Sequence, residues 1–179
     1  MKFIGIDGLG ASGKTELAKK IAAKLGNATI IHTDDFYKPI DQRTVGLVPE
    51  IISPDFDWDR MEREVFKTIA PQPPLTLRGG EVTPPFKVKG GREEIVIVVG
   101  VYTLQKRFRK YYDFTIWVDA PRDVRIKRMI EREGEAVARE WQQKWLPREE
   151  RYLEVERPDK QASVVLDNMS AGAKMEQSW

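Results

Sequence analysis

The octet Gly8-Leu9-Gly10-Ala11-Ser12-Gly13-Lys14-Thr15 satisfies the pattern G-x-x-x-x-G-K-[ST] in full, and no other stretch restricts the fold as much. With glycine at about 7% of average usage, two fixed glycines followed by lysine and a hydroxyl residue arise by chance in roughly one chain of this length per hundred or fewer. The flanks narrow it further. Lys2 to Asp7 reads as a short apolar strand entering the loop, and Leu17, Ala18, Ile21, Ala22 and Leu25 recur at helical spacing behind it. In that setting loop amides and the positive end of a helix converge on phosphate. Gly8, Gly10, Ala11, Ser12 and Gly13 form the backbone cradle, and Lys14 adds a movable charge for the β- and γ-phosphates. Thr15 offers a hydroxyl to Mg²⁺, which takes hard oxygen ligands and keeps several waters. The alternative is a glycine-rich strand-to-helix turn that merely contains a lysine.

A chain of 179 residues suits one compact domain with a sheet covered on both faces. Thirty basic and 28 acidic residues leave a net charge of +2, so no overall field attracts nucleic acid or an anionic membrane, and phosphate affinity must be local. Cysteine is absent, which excludes disulfides and thiolate metal sites and agrees with a reducing cytoplasm. The amino terminus runs into the first strand without the apolar core of a signal peptide, and no apolar run reaches the roughly 18 residues of a membrane span. The expectation is a soluble cytoplasmic protein.

Along the chain, Gly26-Asn27 stops the first helix, and Thr29 to His32 is a short strand ending at Asp34-Asp35. Ligands of open α/β sheets bind at the carboxyl ends of the strands, so this pair belongs either beside the phosphate loop or to a turn, which Asp also favours. His32, the only histidine, reads as structural. Phe36 to Pro54 reads as a mobile surface loop. Asp57-Trp58-Asp59 starts a helix with Met61, Val65 and Ile69 on one face and Phe66 beside them, and Pro71, Pro73 and Pro74 end it. Between Leu75 and Arg92, Leu75-Thr76-Leu77 and Phe86-Lys87-Val88 are candidate edge strands in an irregular insertion of about 70–92.

Glu94 to Val99 is a near-continuous apolar run, as in a central parallel strand buried on both faces, and Gly100-Val101-Tyr102 carries the chain off its end. Lys106 to Tyr112 reads as a short helix, Phe114 to Val118 as another buried strand, and Asp119-Ala120-Pro121 as a helix start. That helix sets Arg125, Arg128 and Arg132 on one stripe, which either clamps phosphates or is a solvated face paired with Glu131 and Glu133; the stripe alone favours the solvated face. Val137, Trp141 and Trp145 continue a helical stripe that reads as core, and a further helix runs from Pro147 to Glu156. Ser163 to Leu166 is a last strand before a poorly ordered tail. Buried runs alternating with helices give about five parallel strands in a three-layer α/β domain over 1–167, with 168–179 as tail.

These segments together resemble the uridine kinase and phosphoribulokinase family of P-loop kinases, and most of all its short bacterial uridine kinase-like members. The matching residues are Gly5 to Thr15, His32 to Tyr37, Asp57 to Arg60, Gly100 to Tyr102, Trp117 to Pro121, Arg125 to Glu133, and Trp141, Trp145, Glu149 and Tyr152. The likeness runs from about Phe3 to Asp167 and lapses between Ala70 and Arg92, where the Tyr-Asp pair of that group's acceptor region is missing. It implies a P-loop NTPase fold and transfer of the γ-phosphoryl group of ATP or GTP, with Mg²⁺, to a hydroxyl of a small nucleoside-like or sugar-like acceptor. It makes Asp34 the general base, Asp35 a neighbour that meets Mg²⁺ through water, and Tyr37 and Tyr102 acceptor-side residues. It also turns Arg125, Arg128 and Arg132 into part of a lid, about 121–147, that closes over the phosphates, with Arg128 acting in catalysis. One residue departs from the family pattern: Val99 stands where a Glu that helps hold Mg²⁺ is usual, which implies slow turnover. The competing expectations are a nucleotide-binding protein with weak or no kinase activity, and a P-loop kinase acting on a sugar phosphate, nucleotide or vitamin precursor.

Overall fold

The computed structural model describes residues 1–43, 52–67 and 94–169. Five strands, β1 (Lys2–Asp7), β2 (Ala28–His32), β3 (Ile95–Val99), β4 (Phe114–Asp119) and β5 (Val164–Asp167), pair in the order β2-β3-β1-β4-β5. All four pairings are parallel, with Ile6 opposite Val99 and Asp7 opposite Trp117. A parallel sheet needs crossovers, and two of them are helical. α1 (Lys14–Leu25) links β1 to β2, and α3 (Arg122–Glu133), α4 (Glu135–Lys144), α5 (Leu146–Glu156) and the short α6 (Pro158–Gln161) link β4 to β5. α2 (Trp58–Met61) lies between β2 and β3.

Strand alternation sorts the core into two layers. Phe3, Ile31, Val96, Val98 and Trp117 face one side and pack with Trp58, Met61, Phe66, Phe108 and Tyr152. Ile6, Ile97, Val99, Ile116 and Val118 face the other, against Ala18, Leu17 and Ile21 of α1. A third cluster joins Met129, Ala138, Trp141 and Leu146 of α3–α5 and reaches Ala11 of the phosphate loop, so these helices are docked on the loop. α1 ends as the sequence indicates: Gly26 adopts φ 71° and its amide donates to the Ala22 carbonyl.

Three local expectations change. The helix begun at Asp57, whose side chain caps the Arg60 amide at 2.9 Å, runs as α-helix only to Met61 and continues as π-helix over Glu62–Lys67. The wider i→i+5 turn lets Met61, Val65 and Phe66 all reach the core. Lys106 to Tyr112 forms no α-helix, only a 3₁₀ turn at Arg109–Tyr111. The stretch read as a surface loop from Phe36 is anchored where it is described, because Phe36 is buried and Tyr37 bridges Phe56, their rings tilted by 30° with centroids 4.0 Å apart. The candidate strands at 75–77 and 86–88, and Ile69, lie outside the described residues. Among the described residues no helix is long and apolar enough to cross a membrane.

Candidate active site

Asp7 ends β1 fully buried, and its carboxylate accepts from the Gly8 amide at 2.6 Å, the Leu104 amide at 2.7 Å and the Tyr152 hydroxyl at 2.6 Å. Burial nevertheless raises its pKa to about 6. One side chain thereby fixes the start of the phosphate loop, the segment after β3 and α5. The loop turns through left-handed conformations at Ala11 (φ 61°) and Gly13 (φ 98°). A Cβ at Gly13 would also lie 2.4 Å from Asn168 Nδ2, so the position tolerates only glycine.

The outer, carbonyl side of the loop is clamped. Arg128 donates to the carbonyls of Ala11 and Ser12, both at 3.3 Å, and to the carbonyl and Oδ1 of Asn168. Asn168 Nδ2 donates to Ser12 O at 2.8 Å. With the carbonyls held outward, the amides turn inward. Among the described residues no hydrogen bond takes up the amides of Gly13, Lys14, Thr15 and Glu16 at the start of α1. Lys14 is buried, its ammonium donating to Leu9 O at 3.3 Å; burial lowers its pKa, and Glu149, then Asp7, then Asp34 oppose the shift.

This cradle fits a nucleotide polyphosphate: free amides, a helix N-terminus and one lysine face the same concavity. Mg²⁺ fits as well, in the manner usual for it, through the Thr15 hydroxyl, phosphate oxygens and water, since among the described residues no three acidic or histidine side chains gather to hold a metal alone.

The sequence candidates separate by place. Asp34 and Asp35 both lie in the 3₁₀ turn Thr33–Phe36 after β2 with exposed side chains, and the Asp34 charge acts on Lys14 and Tyr37. The Asp35 carbonyl instead receives Arg60. Tyr37, Phe56, Trp58 and Tyr102 form an aromatic wall on this side, Phe56 stacking on Trp58 at 4.5 Å and meeting Tyr102 edge-on at 5.8 Å. Burial raises the Tyr37 and Tyr102 hydroxyl pKa values, and Tyr102 holds the strained φ of 71°. The arginine stripe is not one solvated face. Arg125 is 3% exposed with Nε on the Ala120 carbonyl, Arg128 holds the loop, and only Arg132 is exposed, paired with Glu133 at 2.8 Å.

Two residues carry more than the sequence indicated. Asn168, assigned to the tail, follows β5 directly and clamps the loop. Glu149 of α5 is 5% exposed; Oε2 accepts from the Gly10 amide at 2.6 Å and Oε1 from the Trp141 indole at 3.0 Å. Its signal was a carboxylate on the buried stripe Leu146, Glu149, Tyr152 of an amphipathic helix.

Comparison with known proteins agrees with this geometry. A uridine kinase of Borrelia duttonii is 30% identical over 139 residues, covering 74% of this chain and 68% of its own length. A nicotinamide riboside kinase of Saccharomyces cerevisiae is 28% identical over 159 residues, covering 74% of this chain and 65% of its own. Among solved structures, one titled as a possible uridine kinase from Bacillus stearothermophilus is 25% identical and superposes with a TM-score of 0.62 over 93% of this chain and 88% of that one. A gluconokinase from Sinorhizobium meliloti, 16% identical with a TM-score of 0.56 over 96% of this chain and 84% of its own, shares the fold. No family model matches the chain.

Proposed function

Because the chain belongs to the uridine kinase-like family and is a P-loop small-molecule kinase, we propose that it transfers the γ-phosphoryl group of ATP or GTP to a hydroxyl of a nucleoside-like or sugar-like acceptor, with Asp34 as general base. The observation that carries the assignment of roles is positional: Asp34 follows β2 at the same carboxyl edge of the parallel sheet as the phosphate loop that follows β1, and its charge acts on the buried ammonium of Lys14. The amides of Gly13 to Glu16 and Lys14 steady the donor phosphates. Asp34 accepts the proton of the acceptor hydroxyl as its oxygen bonds to the γ-phosphorus and the bond to the β,γ-bridging oxygen breaks, releasing the diphosphate. Mg²⁺ would be held by the Thr15 hydroxyl, with Asp35 through water, and would supply charge neutralisation on the phosphates. Tyr37, half-buried over Phe56 with Trp58 and Tyr102 in the core behind it, offers a ring to a base or sugar face. Arg132 acts electrostatically on Lys14 from the lid and is exposed, which supports a role in meeting the phosphates; Arg125 and Arg128 serve the same lid from within.

Relatives named for uridine and nicotinamide riboside favour a nucleoside acceptor. The test is a coupled diphosphate-release screen over uridine, cytidine, nicotinamide riboside and free sugars with Mg²⁺ and either ATP or GTP. Acceptor-dependent turnover on a nucleoside is expected. Nucleotide binding without turnover on any acceptor would leave a nucleotide-binding protein in its place.

A further inference from the structure

The Glu149 carboxylate has no part in the phosphoryl transfer as derived above, yet it is buried at the phosphate loop itself. Oε2 takes the Gly10 amide at 2.6 Å, and a Cβ placed on Gly10 would lie 2.9 Å from Oε1, so the helix seats its acid directly on the loop backbone. Trp141 of α4 donates to Oε1 and fixes the carboxylate in this pose, and Arg125 of α3 supplies a further nearby positive charge. Of the charges acting on Lys14, Glu149 is the strongest. A negative group accepting a loop amide beside the loop lysine is doing what a phosphate oxygen does in such a site. The amides of Gly13 to Glu16, by contrast, donate no hydrogen bond to the described residues.

Phosphate loops cradle the α- and β-phosphates on their amides and reach the β- and γ-phosphates with the lysine. The open amides therefore serve the part of the nucleotide that di- and triphosphate share, and Glu149 sits at the end that only the triphosphate fills. Two anions cannot share one amide and one ammonium in a buried site, where repulsion is weakly screened.

We propose that Glu149 is a specificity-determining residue that competes with the γ-phosphate for Gly10 and Lys14. With α5 seated as here, the site takes a nucleoside diphosphate more readily than a triphosphate, and a triphosphate enters only as α5 lifts its carboxylate off the loop. This rests on the kinase reading above and adds to it the order of events: release of Glu149 from Gly10 accompanies donor binding, and its return follows phosphoryl transfer.

Calorimetric titration of the full chain with Mg²⁺-ADP and with the Mg²⁺ complex of the β,γ-imido analogue of ATP tests it. Wild type is expected to bind ADP at least about tenfold more tightly than the analogue. Glu149→Gln, which keeps the size and removes the charge, is expected to reduce that preference by about tenfold or more by gaining affinity for the analogue. A wild type that prefers the analogue overturns the proposal even if the variant does not fold. Equal changes for both ligands in a folded Glu149→Gln overturn it as well. Absence of binding of either nucleotide to wild type would overturn the kinase reading instead.

Discussion

A base that removes a proton from an acceptor hydroxyl must share its pocket with the cation that steadies the donor, and the Asp34 charge acts on Lys14. Asp34→Asn is expected to lower kcat at least about a hundredfold with ATP affinity unchanged, since general-base catalysis contributes on the order of 10²- to 10⁴-fold. Asp35→Asn is expected to cost less than about tenfold, because its anchored group is the carbonyl and not the side chain. Steady-state kinetics with calorimetry on both variants checks this, and the reverse ranking would move the base to Asp35. Val99 is the other residue whose identity is expected to bear on the rate. It is 1% exposed at the end of β3, beside Ile6 and His32 and on the α1 face with Ala18. A valine there serves the core and offers nothing to a cation. Val99→Glu is expected to lower the melting temperature of the nucleotide-free protein, because a carboxylate replaces a buried apolar side chain. It is also expected to raise kcat about tenfold, about 1.4 kcal/mol of barrier, and to lower the Mg²⁺ needed for half-maximal rate. Rate measured against Mg²⁺ for both forms decides; no gain in a folded variant would mean that another carboxylate already fills the role.

At the scale of elements, the phosphate loop is held by contacts from outside it, and each contact has its own signature. Arg128 of α3 and Asn168 after β5 grip the carbonyls of Ala11 and Ser12. Because they act on the loop and not on one phosphate, Arg128→Ala is expected to weaken ADP and ATP binding together, by about tenfold, the effect of about 1.4 kcal/mol. A loss confined to ATP would return Arg128 to the γ-phosphate as a closing lid arginine. On the inner side, Asp7 ties β1 to α5 through the Tyr152 hydroxyl. Its pKa is raised from an ordinary 3.8 to about 6, so the folded state binds its proton more tightly than the unfolded chain. The stability it contributes is complete below about pH 4 and is lost as pH rises through about 6. Denaturant midpoints between pH 5 and 7 are expected to fall with rising pH, less so in Asp7→Asn, which cannot titrate. An identical slope in that variant would assign the titration elsewhere.

At the scale of the whole molecule, the sheet and its crossovers were legible because local pattern dictates them. The run Ile95–Val99 is apolar on both faces, as only an inner strand can be, and Gly26 ends α1 where a left-handed residue is required. The placing of Gly8 to Thr15 and of Asp34 at one edge of the sheet was legible for the same reason, since both follow strand ends. What the pattern could not carry was the partner of each face. Arg125, Arg128 and Arg132 share one stripe, yet their surroundings run from buried to exposed because each meets a different partner: the Ala120 carbonyl, the carbonyls of the phosphate loop, and Glu133. Glu149 and Asn168 became visible only when α5 and β5 were brought against residues about 140 and 156 positions away. Those long-range ties have a consequence for stability. The loop joins β1 and α1 to α3, α5 and the end of β5, so a ligand seated in it bridges elements from both ends of the chain. A ligand at a hundred times its dissociation constant stabilises the native state by about 2.7 kcal/mol. For a domain of this size that corresponds to a rise in melting temperature of roughly 5–11 °C. Scanning calorimetry or dye-monitored melting with and without saturating Mg²⁺-ADP is expected to show that rise in wild type and little of it in Lys14→Ala, whose lost charge removes the main electrostatic hold on the phosphates. A full shift retained in Lys14→Ala would place the stabilising nucleotide somewhere other than the phosphate loop.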